Sequence, residues 1–237
     1  MKPLAAHLRL ELVLLARNGE SLLLTLGIPV VLLVFFSNVE VLPIDGEPID
    51  FLAPGVLSLA VLSTAFVNLA IGVGFEREYG VLKRLGATPL GRPRLLSAKT
   101  LAIVAVEAVQ VTVLWFLALA LGWEPSAEPA FLVAVGLGTV AFAGLALCLA
   151  GSLRALVTLA AANGLYLVLL LLSGMVIPLD ELPDAARAVA RLLPSTAFAE
   201  VVRGTLTDAS AAGRAWIVLI AWAIAAPLLA IRLFRWE

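Results

Sequence analysis

Four stretches of this chain, Ser21–Val39, Phe51–Phe75, Pro129–Leu153 and Ala155–Leu179, run without a single Asp, Glu, Lys or Arg. A hydrocarbon core about 30 Å thick is crossed by roughly 20 mostly apolar residues in a helix. A helix also satisfies its own backbone polar groups, which lipid cannot do. Two further segments fit the same description. Thr100–Trp123 carries one charge, Glu107, and the shorter Ala215–Ile231 is bracketed by Arg214 and Arg232, whose stems can snorkel to the interfaces. The expectation is an all-α integral membrane protein of six transmembrane helices, a single domain over residues 1–237. An apolar fraction of 62% with only 14% charged residues exceeds what a soluble domain carries.

The net charge of −1 conceals a segregation by side. If the loops alternate across the membrane, one side receives Lys2, Arg9, Arg17, Arg77, Lys83, Arg84, Arg92, Arg94, Lys99, Arg154, Arg232 and Arg235. The other receives only Arg187, Arg191, Arg203 and Arg214, together with acidic loops holding Asp45, Glu47, Asp50, Glu124 and Glu128. Lys and Arg accumulate on the cytoplasmic side. Both termini are therefore expected in the cytoplasm of a bacterium, with the chain multi-pass in the inner (plasma) membrane.

The first apolar run begins after about twenty residues and is too long for a signal-peptide core, so it reads as a retained span. Ahead of it, Leu4, Leu8, Leu12 and Leu15 share one helical face while His7, Glu11 and Asn18 share another. That pattern predicts an amphipathic helix over residues 1–20 lying in the cytoplasmic interface. His7 reads as an interfacial polar residue. Cys148, the one cysteine, sits in an apolar run and reads as a small packing residue. A Cys/His cluster with metal-ligand spacing is absent from the sequence.

Between the second and third runs lies a charged insert, Glu76–Leu90, within a cytoplasmic region 76–95. Its acidic residues Glu76 and Glu78 precede Lys83 and Arg84, an order that suits a helix dipole. Val81, Leu82 and Leu85 offer an apolar contact surface, and Gly86 and Pro89 end the helix. A loop that only connects spans needs no such pattern, so a partner is expected to dock there.

Glu107 is the one formal charge well inside a span, where an ionisable side chain faces the bundle interior. It is a candidate pathway residue, or else is hydrogen-bonded to Gln110, Thr112 or Asn68. Gly72 and Gly74 in the second run, and Gly136, Gly138, Gly144 and Gly151 in the fourth, are expected to let backbones approach. Residues 173–213 depart from a plain loop. Pro178, Pro183 and Pro194 are too closely spaced for a further span, and two short helical pieces, Ala185–Leu193 and Ala197–Leu206, carry the Arg187–Arg191 basic pair and the Glu200–Arg203 pair. They are expected as short outer re-entrant helices that cap the bundle.

Three features together resemble the membrane subunit of an ABC-2 type exporter. They are EREYGVLKRLGATPLGRPRLLSAK (Glu76–Lys99), LSGMVIPLDELPDAARAVARLLPSTAFAEVVRG (Leu172–Gly204), and the plan of an interfacial helix followed by six spans. Val81 and Lys83 stand where members more usually carry a Thr-Leu-Glu-like sequence. The resemblance implies a coupling helix that contacts an ATP-binding subunit through Glu76, Arg77, Glu78, Tyr79, Gly80, Leu82, Lys83, Arg84, Thr88 and Pro89. It also implies two ATPase subunits and a second permease subunit, as a homodimer.

The chain has no G-x-x-x-x-G-K-[ST] loop, so ATP and Mg are expected on the separate ATPase chain, with no cofactor on this one. The chain itself is then not an enzyme, and no nucleic-acid partner is expected. Nearly charge-free spans suit a drug-like or lipid-like substrate better than a polyanion. The alternative is an ion- or proton-coupled secondary transporter using Glu107, which would call for an inverted repeat and broken helices that the sequence does not display.

Overall fold

The computed structural model describes residues 13, 19–38, 47–86, 91–126, 129–207 and 213–234, and among these there are helices and turns but no strand. In chain order the helices are α1 (Gly19–Ser37), α2 (Pro48–Glu78), α3 (Val81–Gly86), α4 (Gly91–Ala120), α5 (Ala130–Ser152), α6 (Ala155–Leu171), α7 (Asp184–Ala190), α8 (Pro194–Leu206) and α9 (Gly213–Leu233). By length and composition α2, α4, α5 and α9 can cross a membrane, while α1 over Thr25–Ser37 and α6 are shorter apolar helices. The chain is a multi-pass, all-helical membrane protein. Apart from Val13, Gly19 and Glu20, the expected interfacial helix over residues 1–20, His7 included, lies outside the described residues, as do Thr88 and Pro89.

Two helix boundaries differ from the ends of the apolar runs. The charge-free run continues to Leu179, but α6 stops at Leu171, just ahead of the 173–213 segment expected to leave the span. There Ser173 Oγ donates to Leu170 O and accepts from the Met175 N–H, and Gly174 turns the chain at φ +75°. That left-handed conformation comes without strain only to glycine. The helix containing Glu107 begins at Gly91, earlier than the apolar run, because Pro93 falls in the first turn, where a missing N–H is harmless.

The most extensive packing joins α5 to α9. A Cβ built on Gly144 would lie 2.6 Å from Pro227 N and 2.7 Å from Ala226 C, so only glycine lets these backbones touch. Gly138 and Gly151 likewise lie against Phe198 and Phe234, and Gly74 lies against Thr158. Gly72 and Gly136, expected to serve the same purpose, face open space. At one end of the bundle, Trp115 meets Trp123 at 5.0 Å and Phe131 at 5.7 Å between ring centroids. Amphipathic rings of this kind suit a membrane–water boundary.

Between α6 and α9 the chain folds back into the bundle. The helix before Pro194 ends at Ala190, and Pro194 opens α8 as its first residue, a position its fixed φ favours. The α8 start is buried beside α6, with Ser195 Oγ donating to Leu169 O and Thr196 Oγ1 to Leu172 O. Phe198 stacks edge-on against Phe142, and Phe142 lies about 18 Å along α5 at 1.5 Å per residue. The far end of α8 returns to the aromatic end, where the Ser126 N–H donates to Leu206 O. The α7–α8 pair is therefore a helical hairpin whose buried α8 packs beside α6, while its tip stays exposed at Leu192 and is tied by Trp222 Nε1 of α9 to Leu192 O.

Candidate functional site

The end of the bundle opposite the aromatic cluster carries the charged insert. Glu76 and Glu78 do not begin a coupling helix there. They close the long α2, and Gly80 at φ +69° breaks the chain before α3. The dipole argument therefore fails for both carboxylates, which stand at a helix C-terminus.

What they do instead is join helices. Lys99 Nζ of α4 lies 2.6 Å from the Glu76 carboxylate, with the lysine side chain 4% exposed. Arg77 Nη1 donates to Ala150 O at 2.7 Å and Leu153 O at 3.1 Å, satisfying carbonyls that the end of α5 leaves open. Glu78 Oε2 accepts the Ala155 N–H at 2.8 Å, capping the first turn of α6. Three consecutive residues thus bind α2 to α4, α5 and α6.

Tyr79, Val81, Lys83 and Arg84 face outward beside the exposed Glu78, while Leu82 turns fully into the core. Tyr79 stacks on Phe75 at 6.0 Å, which stiffens the turn into α3. Among the described residues, the exposed surface on this side is accordingly aromatic, aliphatic and mostly basic, with the exposed Glu78 at its edge.

Midway along the bundle the spans share polar groups. Pro29 in α1 has no N–H to give the carbonyl of Thr25, and Gln110 Nε2 of α4 supplies that bond at 2.6 Å. Gln110 Oε1 accepts from Thr64 Oγ1, and Asn68 Nδ2 donates to Thr25 Oγ1. Thr64 and Asn68 belong to a π-helical turn, Ser63–Asn68, inside α2. Single π-turns occur often at functional sites because the widened helix releases backbone groups and re-aims side chains. Beside it lies a cavity of about 330 Å³ whose polar lining is Thr25, Ser63, Asn68, Asn163 and Tyr166.

The sequence reading used Asn68 and Gln110 only as partners for Glu107 and missed this cluster. Its signal was present as polar side chains at membrane depth in otherwise apolar runs.

Glu107 is buried, 2% exposed, but Gln110, Thr112 and Asn68 are all engaged elsewhere and its partner is Thr139 of α5. Thr139 Oγ1 has one proton and two oxygens in reach, Glu107 Oε2 at 2.6 Å and Val135 O at 2.9 Å. Both contacts are satisfied when the carboxyl carries a proton and donates to the hydroxyl. Glu107→Gln keeps an NH₂ donor in the same place, so its accumulation in the membrane should stay within about two-fold of wild type. Glu107→Lys leaves a cation of the wrong shape in lipid surroundings and should remove most of the folded protein. Fluorescence-detected size exclusion measures both. A folded Glu107→Gln protein that no longer transports would assign the carboxyl to the path.

In the cap, Arg187 donates to the carbonyls of Leu179, Asp180 and Leu182, rolling the Pro178–Pro183 segment around its guanidinium. Arg191 stays exposed. Glu200 and Arg203 do not form the expected ion pair. Glu200 faces Arg214 at 3.7 Å, while Arg203 donates to Gly174 O and sits 4.1 Å over the Phe51 ring. Arg203 thereby pins the turn that ended α6. Among the described residues no group of acidic, His and Cys side chains could hold a metal ion.

A family model described as ABC-2 type transporter matches residues 4–207. A Bacillus subtilis (strain 168) protein named "Putative transport permease YvfS" is 29% identical over 200 residues, covering 79% of this chain and 80% of that protein. The match takes in the α7–α8 hairpin, the π-turn of α2 and the charged junction at Glu76–Glu78. With most of its length inside that model, the chain belongs to the ABC-2 type transporter family, as a transport permease of the kind that works with an ABC ATPase.

Proposed function

We propose that this permease is the membrane-spanning subunit of an ATP-driven exporter, crossing the bacterial inner membrane six times with both termini in the cytoplasm. ATP and Mg bind the ATPase chains, two per assembly, and two permease copies pair as a homodimer. The observation that carries this reading is the short α3 beyond the end of α2, with Val81, Lys83 and Arg84 exposed on it and Tyr79 exposed on the turn before it. A charged knob of this kind, anchored by three bonded residues behind it, can take a push from a partner and pass it to α4, α5 and α6 together.

The path we propose follows the cavity between α1, α2 and α6 at the π-turn. Its lining mixes hydroxyl, amide and phenol groups with aliphatic walls and no charge, which suits an amphipathic or hydrophobic molecule. An ion-coupled carrier built on Glu107 fits less well, because that carboxyl is closed against Thr139 and is not among the residues lining the cavity.

Co-purification of tagged permease with its ABC ATPase, followed by ATP hydrolysis and transport of a lipophilic dye in proteoliposomes, tests this function. The expected result is a stable complex whose dye transport requires ATP. Dye movement driven by a proton gradient without the ATPase would favour the carrier instead.

Orientation has its own test. Asp184 is fully exposed on α7. A cysteine there, in a Cys148→Ala background, should react with an impermeant maleimide on intact cells. Reaction only after the cells are opened would invert the proposed topology.

A further inference from the structure

Two cavities adjoin at Leu153, and their chemistry changes abruptly there. One, of about 380 Å³, is almost wholly apolar and runs between α5, α6 and α9, from Leu153 past Cys148 and Leu165 up to the hairpin tip at Leu193 and Pro194. The other, of about 350 Å³, opens at the helix ends and is lined by Gly74, Arg77, Glu78, Leu153, Arg154 and Ala155.

We infer that this continuous groove is a binding site for an anionic phospholipid of the leaflet on the Arg154 side, with one acyl chain in the apolar part and the headgroup phosphate at Arg154. This assignment is independent of the transport path proposed above.

Depth supports it first. From Leu145 to Leu153 the groove follows α5 for about 12 Å at 1.5 Å per residue, close to the roughly 15 Å of one leaflet. The walls include Leu165 at 44% exposure, and on neighbouring turns of α6 Leu156, Val157 and Leu171 are exposed as well. An apolar surface of this kind on a membrane helix meets acyl chains.

Charge decides the headgroup. Arg154 is exposed at the mouth and makes no side-chain hydrogen bond or ion pair among the described residues. Arg77 lies beside it, and the one acidic group there, Glu78, is held by the Ala155 N–H. Two guanidinium groups against one carboxylate, at the N-terminus of α6, leave a net positive mouth that a phosphodiester would neutralise.

Trp222 lines the apolar part and reports on it directly. The full-length permease in detergent would be titrated with dibrominated phosphatidylglycerol or dibrominated phosphatidylcholine. The difference in quenching between wild type and Trp222→Phe isolates this indole. The expected result is half-quenching by phosphatidylglycerol at a mole fraction at least five-fold lower than by phosphatidylcholine. Arg154→Gln, a change at an exposed side chain, should bring the two lipids level. Leu165→Phe, which fills the groove, should weaken quenching by both. Equal quenching by the two lipids in wild type, or a phosphatidylglycerol preference unchanged in Arg154→Gln, would overturn the assignment.

Discussion

Gly144→Val should leave little folded permease, whereas Gly136→Ala should leave it unchanged or slightly stabilised. Both glycines lie on α5, and only one faces a neighbour. A Cβ on Gly144 would meet Pro227 N at 2.6 Å and Ala226 C at 2.7 Å, which are backbone atoms that no rotamer change can move. The helices would have to separate along the most extensive interface of the described structure. Overpacking of this kind costs about 1–3 kcal/mol for a small addition, and valine adds more than the Cβ alone. Gly136 has nothing within 4 Å of its Cβ position, so alanine there gains helix propensity worth about 1 kcal/mol without a clash. Thermal unfolding in detergent separates the two. A Gly144→Val protein as stable as wild type would show that α5 and α9 do not meet in this way.

The second large effect is expected at the charged junction. Lys99 is 4% exposed, so removing Glu76 takes away a carboxylate 2.6 Å from a cation in poorly solvated surroundings. Breaking a buried pair from one side costs about 3–5 kcal/mol, and Glu76→Lys adds repulsion to the loss. Glu76→Lys and Lys99→Glu should each lose most of the folded permease even when no ATPase is present. The exchanged pair Glu76→Lys/Lys99→Glu should recover at least half of it. Loss of ATPase binding with full permease stability in the single variants would instead make Glu76 a contact residue.

The charge-free runs made the helical membrane architecture legible, because a backbone in lipid has so few ways to satisfy itself. The side that each insert residue faces was not legible. Charges at a helix end suit water and suit a neighbouring helix equally well, and the deciding partners are distant in sequence. Glu76 finds Lys99 at a separation of 23, Arg77 finds Ala150 at 73 and Glu78 finds Ala155 at 77. The same distance hid Thr139 from Glu107, whose nearer polar residues had looked sufficient. Pro29 did announce a free carbonyl on α1, but nothing local said that Gln110 would fill it. The end of α6 was legible from the Gly and Pro of 173–178, but not that Arg203, 29 residues on, would hold the Gly174 carbonyl.

The claim that motion enters this permease at α3 is tested most directly by cross-linking. Single cysteines would be placed at Tyr79, Lys83 and Arg84, with Ile177 and Val189 as exposed controls between α6 and α8, all in a Cys148→Ala background. Each variant would carry a short photoactivatable maleimide in the complex with its ABC ATPase. The prediction is covalent capture of the ATPase from positions 79, 83 and 84 and none from 177 or 189. An intact, hydrolysing complex that yields no adduct from position 79, 83 or 84 would contradict it.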